Sequence, residues 1–326
     1  MTTASTSASP NGRPSIRPVR WRRLAWVSWR QYRLSAAGLV AFLAALALYL
    51  LIMGLKFRSA YDAAAACSPA VGGPHCQGAF NLFDTHYALT GEISAAVLNA
   101  VPALAGVFAG APILARELEA GTFRFAWTQG AGRTRWTLAR LALPGLAVTA
   151  AAAAFSVLFG WFYYPLFATA DSAFAPQYFQ LTGIAFAAWT LAAFALGALA
   201  GVLIRRVVPA MAAAMAAWAG LLLATTVYLR RHYEAQLIAR NSGQGAPGTS
   251  PWVITQWWTG PNGKTVTNEN QIITLINKPQ RGYTEWTAYQ PAARYWHFQL
   301  IEAGWLLALS LLLVAATIWL VRRRAA

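Results

Sequence analysis

The chain has 326 residues, 57% of them hydrophobic and only 11% charged, with a mean hydropathy of +0.42. A soluble domain carries about 25% charged residues, so this composition excludes an ordinary soluble fold and points to a membrane protein. The formal net charge of +16 sits on arginines beside apolar runs, not on a basic stripe within a recognisable binding motif; this argues against nucleic acid and for contact with anionic membrane lipids.

Residues 1–17 are polar and rich in Ser, Thr and Pro. They read as a disordered cytoplasmic tail, with no cleavable signal peptide. The stretch 18–33, "PVRWRRLAWVSWRQYR", interleaves Trp21, Trp26, Trp29 and Tyr32 with arginines. That mixture suits an amphipathic helix lying in the inner headgroup layer, and it serves equally as an orienting signal for the first span.

A helix needs about 20 apolar residues to cross roughly 30 Å of hydrocarbon. Runs of that length occur at 34–55, 93–114, 141–164, 181–204, 207–229 and 298–321. Arg205 and Arg206 divide the fourth from the fifth as a tight hairpin, because an arginine at mid-membrane costs several kcal/mol. The expected fold is an all-α membrane protein of six transmembrane helices with both termini cytoplasmic. Spans one to five occupy 34–229, with a cytoplasmic loop at 115–136. A small extracytoplasmic insertion follows at 230–296, and the sixth span with a basic cytoplasmic end covers 297–326. Arginine placement sets this orientation: Arg116, Arg124, Arg133, Arg135, Arg140, Arg205, Arg206 and Arg322 to Arg324 fall inside. Arg230 and Arg231 run against the trend. The location expected is the cell membrane, as a multi-pass protein.

Cys67 and Cys76 flank the turn-rich "SPAVGGPH" in the first outer loop, where an oxidising face favours a disulfide. A metal site using His75, Asp84 and His86 with Cys76 has no recognised ligand spacing. In the insertion, 230–240 reads as a short helix, "SGQGAPGTSP" as a loop, and 252–267 as a hairpin turning at Pro261, Asn262 and Gly263. Its "GKT" is no phosphate loop, since Trp258 stands where the motif needs glycine. Trp252, Trp257, Trp258, Trp286 and Trp296 suit packing or headgroup anchoring more than a portal.

Catalytic motifs are missing from the sequence, and the spans hold almost no ionisable side chains. Glu92 and Glu302 lie at outer span ends and read as snorkelling to water. Pro102, Pro112, Pro144 and Pro209 offer kinks. Trp161, Phe162, Tyr163, Tyr164 and Trp218 read either as lining of an uncharged aromatic cavity or as interfacial anchors.

The loop "ARELEAGTFRFAWTQGAGRTRW" at 115–136 is harder to explain as an ordinary basic inner loop, because Glu117 and Glu119 contribute little to orientation. Leu118 and Phe123 add apolar contact, and the glycines permit a turn. "ILARELEAGTFRFAWTQGAGRTRWTLAR" resembles the inner loop of permease subunits in the type-2 ABC exporter family, particularly the actinobacterial branch. "SWRQYRLSAAGL" and the carboxyl-terminal "YQPAARYWHFQLIEAGWLLALSLLLVAATIWLVRRR" are similar to the same branch. The insertion resembles nothing in it.

The resemblance implies a coupling helix that fits a cleft on a separate ABC ATPase subunit. Glu117, Glu119, Gly121 and Thr122 then dock, with Arg116, Phe123 and Arg124 as neighbours. It further implies two ATPase copies and a second permease copy as a homodimer, with the substrate path between the permeases. This chain would not be catalytic by itself; it would hold no cofactor, and ATP and Mg would belong to the partner ATPase. The function implied is ATP-driven export of an amphipathic or lipid-like small molecule. The competing reading is a membrane sensor or immunity protein that binds a ligand through its outer segment without transport.

Overall fold

The structure, a computed structural model, describes residues 21–66, 74–121, 133–169, 172–241, 251–277 and 282–324. Helix α1 (Trp21–Ala65) is followed by α2 (Pro74–Leu104), a π-helical turn (Ala105–Gly110) and α3 (Ala111–Glu119). Next come α4 (Arg133–Thr169), the short α5 (Pro176–Phe179), α6 (Ala185–Ile204) and α7 (Val207–Ala224). Helix α7 continues through a π turn (Thr225–Leu229) and a 3-10 turn (Arg230–His232). Strands β1 (Leu237–Asn241) and β2 (Trp252–Thr259), helix α8 (Glu269–Asn277), strand β3 (Thr284–Gln290) and helix α9 (Tyr295–Arg324) complete the chain. Among the described residues six helical segments are long and apolar enough to cross a membrane, so the expected all-α, six-span architecture is the one adopted.

The second span differs from expectation. Its helix begins at Pro74 and not near residue 93, so His75, Asp84 and His86 lie on α2 and not in an outer loop. A hydropathy run marks only the lipid-matched part of a helix, whereas the backbone ladder continues wherever nothing breaks it. From Pro74 to Glu119 the rod is helical throughout, about 70 Å at 1.5 Å per residue, and therefore longer than the bilayer is thick. Helix α1 likewise runs unbroken from Trp21 into the first span. The tail 1–17, Cys67 and the side chain of Cys76 lie outside the described residues, and with them the expected disulfide.

Between lipid-embedded helices the hydrophobic effect supplies little, and close van der Waals packing takes over. The glycines make this possible where the second span crosses α6. A Cβ on Gly197 would lie 2.1 Å from the Gly106 carbonyl oxygen, one on Gly110 2.4 Å from that of Phe194, and one on Gly201 2.5 Å from that of Ala111. Two four-residue glycine spacings, Gly106 with Gly110 and Gly197 with Gly201, thus bring two backbones into contact. The π turn sits at this crossing, just after Pro102, whose missing N–H weakens the α-helical ladder.

Away from this crossing, α1, α2 and α4 share an aromatic core of Phe57, Phe83, Phe159, Phe162 and Tyr163. Phe162 and Tyr163 are fully buried there, which removes them from any cavity wall, while Tyr164 is exposed. The Tyr163 hydroxyl donates to that of Tyr178 at 2.7 Å.

The insertion folds as a three-stranded antiparallel sheet in the order β1-β3-β2. Residues 230–240 are therefore not a helix: one 3-10 turn ends at His232 and β1 follows at Leu237. The 252–267 hairpin is half right. The turn forms, with the Gly263 N–H bonded to the Gly260 carbonyl, but its return arm is a single bridge, Thr259 to Thr265. The long-range partner β3 wins, pairing with β2 along its length and setting Trp257 opposite Trp286. The "SGQGAPGTSP" loop lies outside the described residues but for its final Pro251. Trp252 and Phe174 pack against Phe298 and so fasten the sheet to the bundle.

Candidate functional site

One end of the bundle gathers the elements that the sequence assigns to the inner face. Ile113, Leu114, Trp136, Leu141, Phe194, Ala198, Val202 and Val321 form one apolar cluster, against which Leu118 packs. The end of α3, the start of α4, the α6–α7 hairpin and the end of α9 therefore lie together. The hairpin is as tight as the paired arginines imply: Arg205 caps α6 in a left-handed conformation at φ 59° and Arg206 returns to extended backbone.

Helix α3 is where the inner-loop carboxylates sit, and each reaches a different span. Glu117 forms an ion pair with Arg140 of α4, Oε1 to Nη2 at 2.5 Å, with both side chains largely shielded from water. The Arg140 guanidinium in turn lies 5.9 Å from the Trp136 ring. Glu119 Oε2 accepts the backbone N–H of Val207 at 3.0 Å. That N–H is the first of α7, so the carboxylate caps an 18-residue helix at its positive end, an interaction of about 0.3–1 kcal/mol. Gly121 closes α3 with φ +68°, a conformation that costs a side-chain-bearing residue about 1–2 kcal/mol. Arg116 is exposed, as is Glu119. Thr122, Phe123 and Arg124 lie outside the described residues.

A second polar site went unseen in the sequence. Glu302 does not snorkel, and Arg230 is no stray exception to the orientation rule. Both are completely buried and pair with each other: Nη2 to Oε1 at 2.7 Å and Nε to Oε2 at 2.9 Å. Trp189 Nε1 donates to Oε1 at 2.8 Å and the Tyr233 hydroxyl to Oε2 at 3.2 Å. Arg230 Nη1 donates to the Pro176 carbonyl at 3.2 Å, and its guanidinium lies 4.5 Å over Phe179. Burial and the Glu302 carboxylate push the Tyr233 hydroxyl well above its ordinary pKa, which keeps it a donor. One turn before Glu302, Gln299 donates to the carbonyls of Phe179 and Thr182 and accepts the Ala185 N–H. This node ties α5, α6, the end of the fifth span and α9 to one another where the sheet begins. Its sequence signal was the anomaly itself, one unpaired acid and one misplaced base at outer span ends.

Among the described residues no group of His, Cys, Asp and Glu could hold a metal ion. At both sites paired charges join neighbouring helices. A model of the family described as ABC-2 membrane transporter related matches residues 40–230. No curated protein and no solved structure matches the chain. The matched segment takes in five of the six spans and all of α3, and that family works with an ABC ATPase partner. By this match over more than half its length, with six helices fit to cross a membrane, the chain belongs to the ABC-2 membrane transporter related family and is a multi-pass permease subunit.

Proposed function

We propose that this permease couples ATP hydrolysis on a separate ABC ATPase to export of an amphipathic or lipid-like small molecule across the cell membrane. The observation that carries the reading is α3, a short helix at a basic end of the bundle whose two carboxylates hold two different spans. Push α3, and α4 and α7 must follow. Moving a two-state equilibrium from 1:99 to 99:1 takes about 5.5 kcal/mol of differential binding, and the Glu117–Arg140 pair and the Glu119 cap are the two links through which α3 passes that work to the spans.

The roles of the seven inner-loop residues then divide. Glu117 serves as the joint, through Arg140. Arg116 and Glu119, both exposed, form the docking face together with Gly121, Thr122, Phe123 and Arg124. Two permeases and two ATPases make the working assembly. Apolar side chains of α1 and α7, including Leu48, Ile52, Val208 and Leu223, are exposed, and a second permease copy and lipid share the task of covering them. ATP and Mg bind only the partner, and the sensor or immunity reading fails once ATP-dependent transport is seen.

Reversing charge on the docking face tests this. Glu119→Lys with Arg116→Glu should remove co-purification with the ABC ATPase partner, while the six-span protein remains folded. Glu119→Gln, which keeps the bond to Val207, should lose less. If the doubly reversed chain carries as much ATPase as the wild type, these residues are not the docking face.

A further inference from the structure

Arg58 stands apart from three other partly or fully buried arginines. Arg230 is answered by Glu302, Arg140 by Glu117 and Arg294 by Glu234. Among the described residues no carboxylate lies within ion-pair distance of Arg58. Its position is nevertheless built. Phe57 is fully buried against Phe83, Tyr87 and Phe162, which fixes the rotation of α1. One turn before Arg58, Gly54 lies flat against the Trp161 indole, where a Cβ would stand 2.3 Å from the ring. The indole is thereby held beneath the guanidinium, 4.8 Å from its centroid, with Tyr164 at 5.6 Å. Nη2 donates to the Trp161 carbonyl at 3.2 Å, and Nε is shielded without a partner.

A snorkelling arginine extends toward water and keeps its hydration. Arg58 instead folds sideways across an aromatic face, with part of its hydration replaced by one carbonyl and two rings. The arginine guanidinium is a planar, delocalised cation. Its planar fork is shaped for the paired oxygens of a phosphate or carboxylate. Trp161 lies near the far end of α4 from the 122–132 connection, so the site is at the bundle end opposite α3.

We propose that Arg58, seated on Trp161 and Tyr164, is a binding site for a single phosphate-type oxyanion at the membrane surface, with Gly54 there to admit the indole. The ligand chemistry is shared by an acidic phospholipid headgroup and by free phosphate. The site stands whether or not the α3 docking scheme is correct.

Fluorotryptophan-labelled full-length chain in nanodiscs reports on it, with the Trp161 resonance assigned by its absence in Trp161→Phe. In phosphatidylcholine discs, titrating phosphatidylglycerol should move this ¹⁹F resonance to saturation. Arg58→Gln should abolish the response, and Arg58→Lys should raise the half-saturating lipid fraction about tenfold. Inorganic phosphate added to pure phosphatidylcholine discs separates the sources: a matching shift identifies the free anion as sufficient, and no shift identifies the headgroup. If Arg58→Gln does not survive purification, Arg58→Lys alone carries the test. A Trp161 signal indifferent to both ligands, or unchanged in its response by either substitution, overturns the proposal.

Discussion

Glu302→Gln should destabilise the protein by about 3–5 kcal/mol, the range for removing one partner of a buried ion pair. The substitution keeps the shape of the side chain and leaves the Arg230 guanidinium, fully enclosed, with no counter-charge. Thermal or denaturant unfolding in a bilayer mimic reads this directly. The double substitution Arg230→Met with Glu302→Leu should recover most of the loss, because apolar residues of similar volume often replace a buried pair at little cost. Equal losses in the single and double variants would show that packing around the node, and not its charge, holds these spans together.

A comparable effect should follow from one methyl group at the glycine crossing. Gly197→Ala puts a Cβ 2.1 Å from a backbone carbonyl that cannot rotate away, so the π-helical turn of the second span and α6 must separate. Overpacking of this kind costs about 1–3 kcal/mol, and a rigid backbone obstacle places Gly197 at the upper end. Gly220→Ala on α7 is the contrast: nothing lies within 4 Å of where the new methyl would stand, and the gain in helix propensity is up to about 1 kcal/mol. The same chemical change should therefore lower the unfolding temperature at one site and raise it at the other. An unfolding temperature that does not fall in Gly197→Ala would rule out the close crossing.

What the sequence made legible follows from the range over which each force acts. Six apolar runs sufficed to count the spans, because each run must match the hydrocarbon by itself. The Arg205–Arg206 hairpin was legible for the same local reason. Where helices extend past the apolar run, as α2 does back to Pro74, hydropathy has nothing to measure. Strand pairing is longer in range still: Pro261, Asn262 and Gly263 do turn the chain, yet β2 chooses β3, beyond α8, over the residues just after the turn. Arg230 and Glu302 are 72 residues apart, so each looked like a lone charge seeking water. The glycine spacings at 106–110 and 197–201 went unread in the sequence, because a spacing alone does not name the helix that packs on it.

The inner loop shows the same division. Glu117 and Glu119 stood out because orientation does not need them, and their position on a helix ending at Gly121 follows from local signals. That Glu117 grips Arg140 and Glu119 caps α7 depends on three-dimensional neighbours. The two glutamates are consequently anchored to this chain's own spans, a requirement for passing force into the membrane.

The central claim is that a soluble ATPase moves this permease through α3. Its most direct test is the rate of ATP hydrolysis by the partner ATPase in proteoliposomes with wild-type permease, without it, and with Glu117→Gln. The account predicts that the wild-type permease changes the rate several-fold, and that Glu117→Gln still binds the ATPase but loses most of that change. A rate that is the same with and without the permease would contradict it.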